Sequence, residues 1–175
     1  MKTYIALLRG INVSGHKKIL MADLRNLLKK IGFIELQTYI QSGNVVFSSS
    51  EDKADLERII SKAILKKYAW EVPVLVLTTS EIKAILENCP FSDEKKEKSY
   101  FVLLQSKPSI ENIVATESLS YPNEEFVINN SCVYLYSEFG AAKAKLGTNF
   151  FERKLKVSAT ARNYKTMNKL LEMST

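Results

Sequence analysis

A chain of 175 residues, 46% hydrophobic and 25% charged, has the composition of an ordinary globular protein with room for one good core or two small ones. No apolar run approaches the roughly 18 residues that cross a bilayer, and the N-terminus lacks a signal h-region and cleavage site. A cytoplasmic protein with no membrane partner is therefore expected. The net charge of +6 and pI near 9.2 suit an anionic partner, but the cations are mostly scattered lysines, so nucleic acid is one option among several.

Thr3 to Leu8 reads as a first strand. The stretch Arg9-Gly10-Ile11-Asn12-Val13-Ser14-Gly15-His16-Lys17-Lys18 follows, with two glycines, three fixed cations and the only histidine. Glycines at a strand-to-helix junction let the backbone turn and bring bare N–H groups to a ligand, and the next helix N-terminus favours negative charge. Met21, Leu24, Leu27, Leu28 and Ile31 then have helical spacing, closed by Gly32. The β-rich runs 37–41 and 44–47 flank Ser42-Gly43, a hairpin signal. Ser50 and Asp52 open a second helix carrying Leu56, Ile59, Ile60, Ala63 and Ile64. Val72 to Leu77 is a fourth strand, with Pro73 arguing for an edge or a strand start.

A connecting helix over 80–88 ends before Pro90, and the charge run 93–98 reads as a solvated loop. Tyr100 to Gln105 starts the order again as a strand, followed by a helix from Ile110 to Glu117 capped by Ser109. Strands at 125–128 and 133–136 flank Asn129-Asn130-Ser131, and two or three helical pieces close the chain. The expected fold is α+β, two ferredoxin-like (βαββαβ-type) halves packed together, with antiparallel sheets and helices on one face. The expected subdomains are 1–79 and 99–175, joined by a helix and charged loop over 80–98. Cys89 and Cys132 lie far apart in sequence with no CxxC pairing, and both read as small core residues.

In such a plait the exit of the first strand and the hairpin between the second and third lie at the same end of the sheet. Arg9 to Lys18 is thereby placed beside Gln41-Ser42-Gly43-Asn44. The loop is not a Walker A motif, because His16 stands where lysine is required, and it is not a dinucleotide turn. Asn12 and Ser14 have a bland alternative, bonding their own loop backbone. One histidine without clustered carboxylates gives no metal site, and no cofactor is implied. A third polar cluster, Lys156 to Thr166, offers Thr160 or Asn163 as the N-cap of the last helix and sets Arg162 in its first turn, against the dipole.

The strings Ala-Leu-Leu-Arg-Gly-Ile-Asn-Val (6–13), Thr-Tyr-Ile-Gln-Ser-Gly-Asn-Val-Val-Phe (38–47) and Thr-Ala-Arg-Asn-Tyr-Lys-Thr (160–166) resemble the bacterial family catalogued as Domain of Unknown Function sixteen ninety-seven. That resemblance implies a two-subdomain α+β protein without an assigned activity. It also implies that Arg9, Gly10, Asn12, Lys18, Gln41, Ser42, Gly43, Asn44, Thr160, Arg162, Asn163 and Thr166 match the family's signature positions, with Tyr164 where its members usually carry tryptophan. The expected function is binding of an anionic or phosphorylated ligand, a nucleotide or nucleic-acid segment, at the 9–18 and 41–44 loops. Arg9, Lys18 and Arg162 would hold charge, and Asn12, Gln41, Asn44 and Asn163 would supply directional hydrogen bonds. Tyr4, Tyr39, Phe47 and Tyr164 are the aromatics available for base stacking. The rival is an enzyme acting on a small phosphorylated or carboxylated metabolite, with His16 or Lys18 near the chemistry.

Overall fold

The computed structural model describes residues 1–140 and 143–175, in two compact units. The first comprises Met1–Lys83 with Lys169–Thr175, and the second Ala84–Asn168. The chain runs β1 (Lys2–Leu8), α1 (Met21–Lys30), β2 (Ile34–Tyr39), β3 (Asn44–Ser49), α2 (Lys53–Tyr68), β4 (Val74–Thr78) and α3 (Thr79–Glu87). It continues α4 (Asp93–Glu97), β5 (Tyr100–Leu104), α5 (Ile110–Glu117), β6 (Glu124–Ile128), β7 (Cys132–Ser137), α6 (Thr148–Leu155), β8 (Ala159–Asn163) and α7 (Tyr164–Ser174).

Each unit holds one four-stranded antiparallel sheet, ordered β2-β3-β1-β4 in the first and β6-β7-β5-β8 in the second. The two orders are the same order repeated, which is the duplicated ferredoxin-like architecture expected from the sequence. In the first unit, strand alternation turns Tyr4, Ala6, Leu8, Val45, Phe47, Val74 and Val76 toward one face. There they share a core with Leu24 and Leu28 of α1 and Leu56, Ile60 and Ile64 of α2. The i, i+4 spacing of those helix residues gives each helix one apolar stripe. Ile5, Leu7, Val46, Leu75 and Leu77 occupy the opposite face and are buried as well, so the inner strands read as unbroken apolar runs. Phe33 stacks on Phe47 with ring centroids 4.5 Å apart.

In the second unit Val102, Leu104, Val133, Leu135 and Ala159 form a core with Phe150, Phe151 and Leu155 of α6. Caps follow the side-chain chemistry: Asp52 accepts from the Asp55 N–H at 3.3 Å and Ser109 from that of Asn112 at 3.3 Å. The Glu124 carboxylate accepts from the Lys145 and Leu146 N–H groups at 2.6 and 2.8 Å.

Three expectations are corrected. The charge run at 93–98 contains a short helix, α4, because Asp93 and Glu94 stand in its first turn and lysines in its last, complementing the dipole. The second strand begins at Ile34, three residues early, with a register irregularity between Ile34 and Gln37 that breaks its alternation. The 156–163 segment is not all helical and turn: Ala159–Asn163 is an edge strand, β8, paired with β5.

Gly43 shows how closely the β2–β3 hairpin packs. Its φ is +76°, and a Cβ there would meet Leu8 Cβ at 2.7 Å and Ile11 Cδ1 at 2.8 Å. Gly43→Ala therefore combines left-handed strain with overpacking, and should destabilise the fold by about 2–4 kcal/mol. Chemical denaturation measures it; an unchanged midpoint would show that the hairpin does not seat on Leu8.

Candidate functional site

β1 delivers Arg9 at its carboxyl end, where the Arg9 N–H donates to Pro73 O at 3.0 Å and the Leu8 N–H to Gly43 O at 2.8 Å. The loop behind it doubles back as a small hairpin, with a bridge between Val13 and His16 and the Asn12 N–H donating to Lys17 O at 3.2 Å. Positive φ occurs at Gly10, Asn12, Ser14, Gly15 and Lys17, with Ser14 and Gly15 forming the turn of that hairpin.

The Asn12 side chain holds this loop to its surroundings. Its Nδ2 donates to Ile19 O at 2.9 Å and to Gln41 O at 2.7 Å, while its Oδ1 accepts from the Ile19 N–H at 2.9 Å. Both amide hydrogens and the carbonyl are thus used within the protein. Asn44 is fully buried, and its Nδ2 donates to Tyr39 O at 3.0 Å and Ser42 Oγ at 2.9 Å. The two asparagines shape the site from inside. Gln41 is exposed, as are Gly10 and Lys18, and Ser42 is half-buried. Arg9 is half-buried, and the desolvation lowers its pKa from the ordinary arginine value. Arg9, Gly10, Asn12, Lys18, Gln41, Ser42, Gly43 and Asn44 therefore lie together at one end of the first unit.

The remaining expected residues lie in the second unit. Arg162 is not in the first turn of the last helix: it sits in β8 opposite Phe101, so the conflict with the dipole does not arise. It is 8% exposed, and its Nη1 donates to Thr160 Oγ1 at 2.9 Å and to Ala161 O at 2.8 Å. Burial draws its pKa down to about 10, which leaves it charged at neutral pH. Thr160 is a strand residue on the same face, two positions away, and does not cap α7. Asn163 does, accepting from the Thr166 N–H at 2.9 Å, and Thr166 is buried. Tyr164 stacks against Phe101 with centroids 6.3 Å apart. Cys132 is buried and Cys89 partly so, and burial pushes both thiols up, as expected for core residues.

Sequence reasoning missed a further contributor. β4 runs antiparallel to β1 with Val74 opposite Leu8, so the α2–β4 connection also returns to the loop end. Lys17 Nζ donates to Glu71 O there at 2.6 Å, and Lys66 and Lys67 stand in the last turn of α2 just before it. The signal was available in the strand order once β4 was assigned. Among the described residues no group of three or more His, Cys, Asp and Glu side chains could hold a metal ion, and no helix is long and apolar enough to cross a membrane.

These features define a class: a duplicated ferredoxin-like α+β protein whose first unit gathers a glycine-containing cationic loop, a hairpin and a helix end at one edge of its sheet. The chain belongs to the family described as "Protein of unknown function (DUF1697)", whose model matches residues 1–134. That span includes the first two of the three signature strings and stops short of 160–166. The chain is also similar to the solved structure of conserved bacterial protein SP0830 from Streptococcus pneumoniae, at 26% identity and a TM-score of 0.78, covering 99% of this chain and 98% of that one. No curated protein matches.

The Asn12 contacts generate a direct test. Asn12→Ala strands two carbonyls and the Ile19 N–H, and should cost about 2–3 kcal/mol. Hydrogen exchange reads it locally: the Ile19 amide should lose protection in Asn12→Ala, and wild-type protection there would show that the side chain does not hold the loop.

Proposed function

We propose that the protein binds an anionic, phosphate-bearing ligand at the end of the first unit formed by the 9–18 and 41–44 loops, with a nucleotide as the larger form of that ligand. The observation that carries this reading is the backbone of the loop. Positive φ at 10, 12, 14, 15 and 17 folds the loop back on itself, and tight turns of this kind can present backbone N–H groups to an anion. Among the described residues, the N–H groups of Gly10, Ser14 and Gly15 have no acceptor within the protein. Arg9 and Lys18 add fixed charge, and Gln41 supplies an exposed amide.

The two asparagines enter as positioning residues. Their amides are spent on the loop and hairpin, so directional recognition falls to the Gln41 side chain and to backbone N–H groups. The Thr160, Arg162, Asn163 and Thr166 cluster is engaged in β8 and the α7 cap, and the reading does not depend on it. The rival enzyme reading needs a positioned acid or base. His16 is exposed, and its imidazole has no hydrogen-bond partner to orient it among the described residues, so geometry favours binding over catalysis.

A thermal-shift series with inorganic phosphate, sugar phosphates and nucleotides tests this. A ligand at 100 times its Kd stabilises by about 2.7 kcal/mol, enough to move Tm by several degrees. Wild type should shift with at least one phosphate compound, Arg9→Ala should lose the shift, and His16→Ala should keep it. If no phosphate compound moves wild type, or if Arg9→Ala shifts equally, the site is not there.

A further inference from the structure

Three aliphatic side chains at the loop end of the first unit are exposed, and two of them stand where the local backbone would be served better by polar residues. Leu20 is the N-cap of α1, with φ −70° and ψ 137°, and gives its helix no side-chain cap. That position favours Ser, Thr, Asp or Asn, yet Leu20 is 66% exposed. Ile40, in the hairpin loop, has φ +48° and is 51% exposed. A β-branched residue is an outlier in the left-handed region, where Asn or Gly is accommodated. Val13, beside the turn of the small loop hairpin, is 57% exposed. None of the three gains much burial in return.

Asn12 brings these positions to one edge, since it ties Ile19, next to Leu20, to Gln41, next to Ile40. Leu65, exposed near the end of α2, comes to the same edge with the α2–β4 connection. The charge around them is positive: Arg9, Lys17, Lys18, Lys66 and Lys67, against Asp23 and Glu71. Charge also differs between the units. The first carries fourteen Lys and Arg against nine Asp and Glu, a net +5, whereas the second carries eleven against ten, a net +1.

We propose that this edge is a docking surface for an anionic phospholipid bilayer, with Val13, Leu20 and Ile40 entering the interface and the surrounding cations meeting the headgroups. Aliphatic side chains on loop tips, ringed by lysine, match the two contributions to peripheral membrane binding: buried apolar area and attraction to anionic lipid. A protein partner fits less well, because protein interfaces are depleted in lysine. Nucleic acid also fits less well, because single strands are held on exposed aromatic platforms. Here Tyr68 and Trp70 stack on each other, 5.4 Å between centroids, and are partly buried in the core. Surface association needs no spanning segment, and it departs from the expectation of no membrane partner. The inference goes beyond the phosphate site, with which it shares cations and the 9–18 loop that carries Val13.

Co-sedimentation with vesicles of mixed phosphatidylglycerol and phosphatidylcholine, against pure phosphatidylcholine, tests it, using wild type and the double variant Leu20→Ser, Ile40→Asn. Both substitutions suit the local backbone, so the denaturation midpoint of the double variant should equal or exceed that of wild type. Wild type should bind the anionic vesicles and not the neutral ones, and the double variant should bind about tenfold more weakly or worse. The single variant Ile40→Asn should keep any thermal shift given by soluble phosphate, which separates this surface from the phosphate site. Absence of wild-type binding, equal binding by the double variant, a lowered midpoint, or binding of single-stranded DNA in place of vesicles would each overturn the proposal.

Discussion

The side chain of Asn12 is the constraint on which the loop end of the first unit depends. A ten-residue excursion leaves β1 and must return to start α1 with Ile19 in the core, and within it Ile11 is the buried apolar side chain. One amide secures the return by satisfying both the N–H and C=O of Ile19 and the C=O of Gln41. Its left-handed backbone, which Asn tolerates better than most residues, turns the chain at the same point. Gly43 supplies the complementary condition by letting the hairpin approach Leu8 and Ile11 without a Cβ between them. A polar bridge on one side and a missing methyl on the other therefore set the geometry of every candidate ligand group nearby.

That arrangement also explains what could be read from the sequence. The plait was legible because its signals are redundant: helical spacing in α1 and α2, a hairpin glycine, and apolar runs for β1 and β3. The meeting of the 9–18 and 41–44 loops followed from strand direction alone, without knowledge of any contact. The division of labour within the site was not legible. Bonding to backbone was an open alternative for Asn12, and its bonds to Ile19 and Gln41 realise it, whereas Asn44 looks like a ligand group until Tyr39 and Ser42 show its amide to be occupied. β8 was missed because Ala159-Thr160-Ala161-Arg162-Asn163 lacks the bulky β-branched and aromatic residues that announce a strand. Its pairing with β5 overrides that weak propensity, and the same pairing carries Arg162 into the interior.

Duplication of topology has not brought duplication of surface chemistry. In the second unit, polar groups are largely committed to the fold: Glu124 holds the backbone ahead of α6, Glu152 accepts from the Ala159 N–H, and Tyr134 donates to Ile85 O. Arg162, the residue there best suited to an anion, is buried among its own strand's oxygens. In the first unit Lys53 pairs with Glu81 and Arg58 with Asp55 around the start of α2, and Lys169 pairs with Glu172 in α7. Its loop end keeps exposed cations. Two units with one strand order thus offer different environments, as expected when function resides in a site added to a fold and not in the fold itself.

Local strain points to the same end. Among the described residues eight non-glycine positions have positive φ, and five of them, Asn12, Ser14, Lys17, Ile40 and Ala69, belong to the loop, the hairpin and the α2–β4 connection. Elsewhere Asp52, Ser109 and Asn163 act as side-chain caps, while Ser92 and Gly147 give their helices none and positive φ recurs at Glu35, Asn123 and Lys156. Departures from local preference cost stability, and in a foldable sequence they persist where another requirement outweighs the cost. Ala69 has a fold-level reason, since it ends α2 in the left-handed conformation common at helix C-termini. Asn12 has one in its three hydrogen bonds. Ile40 has neither, being exposed, β-branched and left-handed at once, and Leu20 adds a helix start without a side-chain cap. Folding alone would favour polar residues at both positions, which is the physical ground for assigning them to the proposed docking surface.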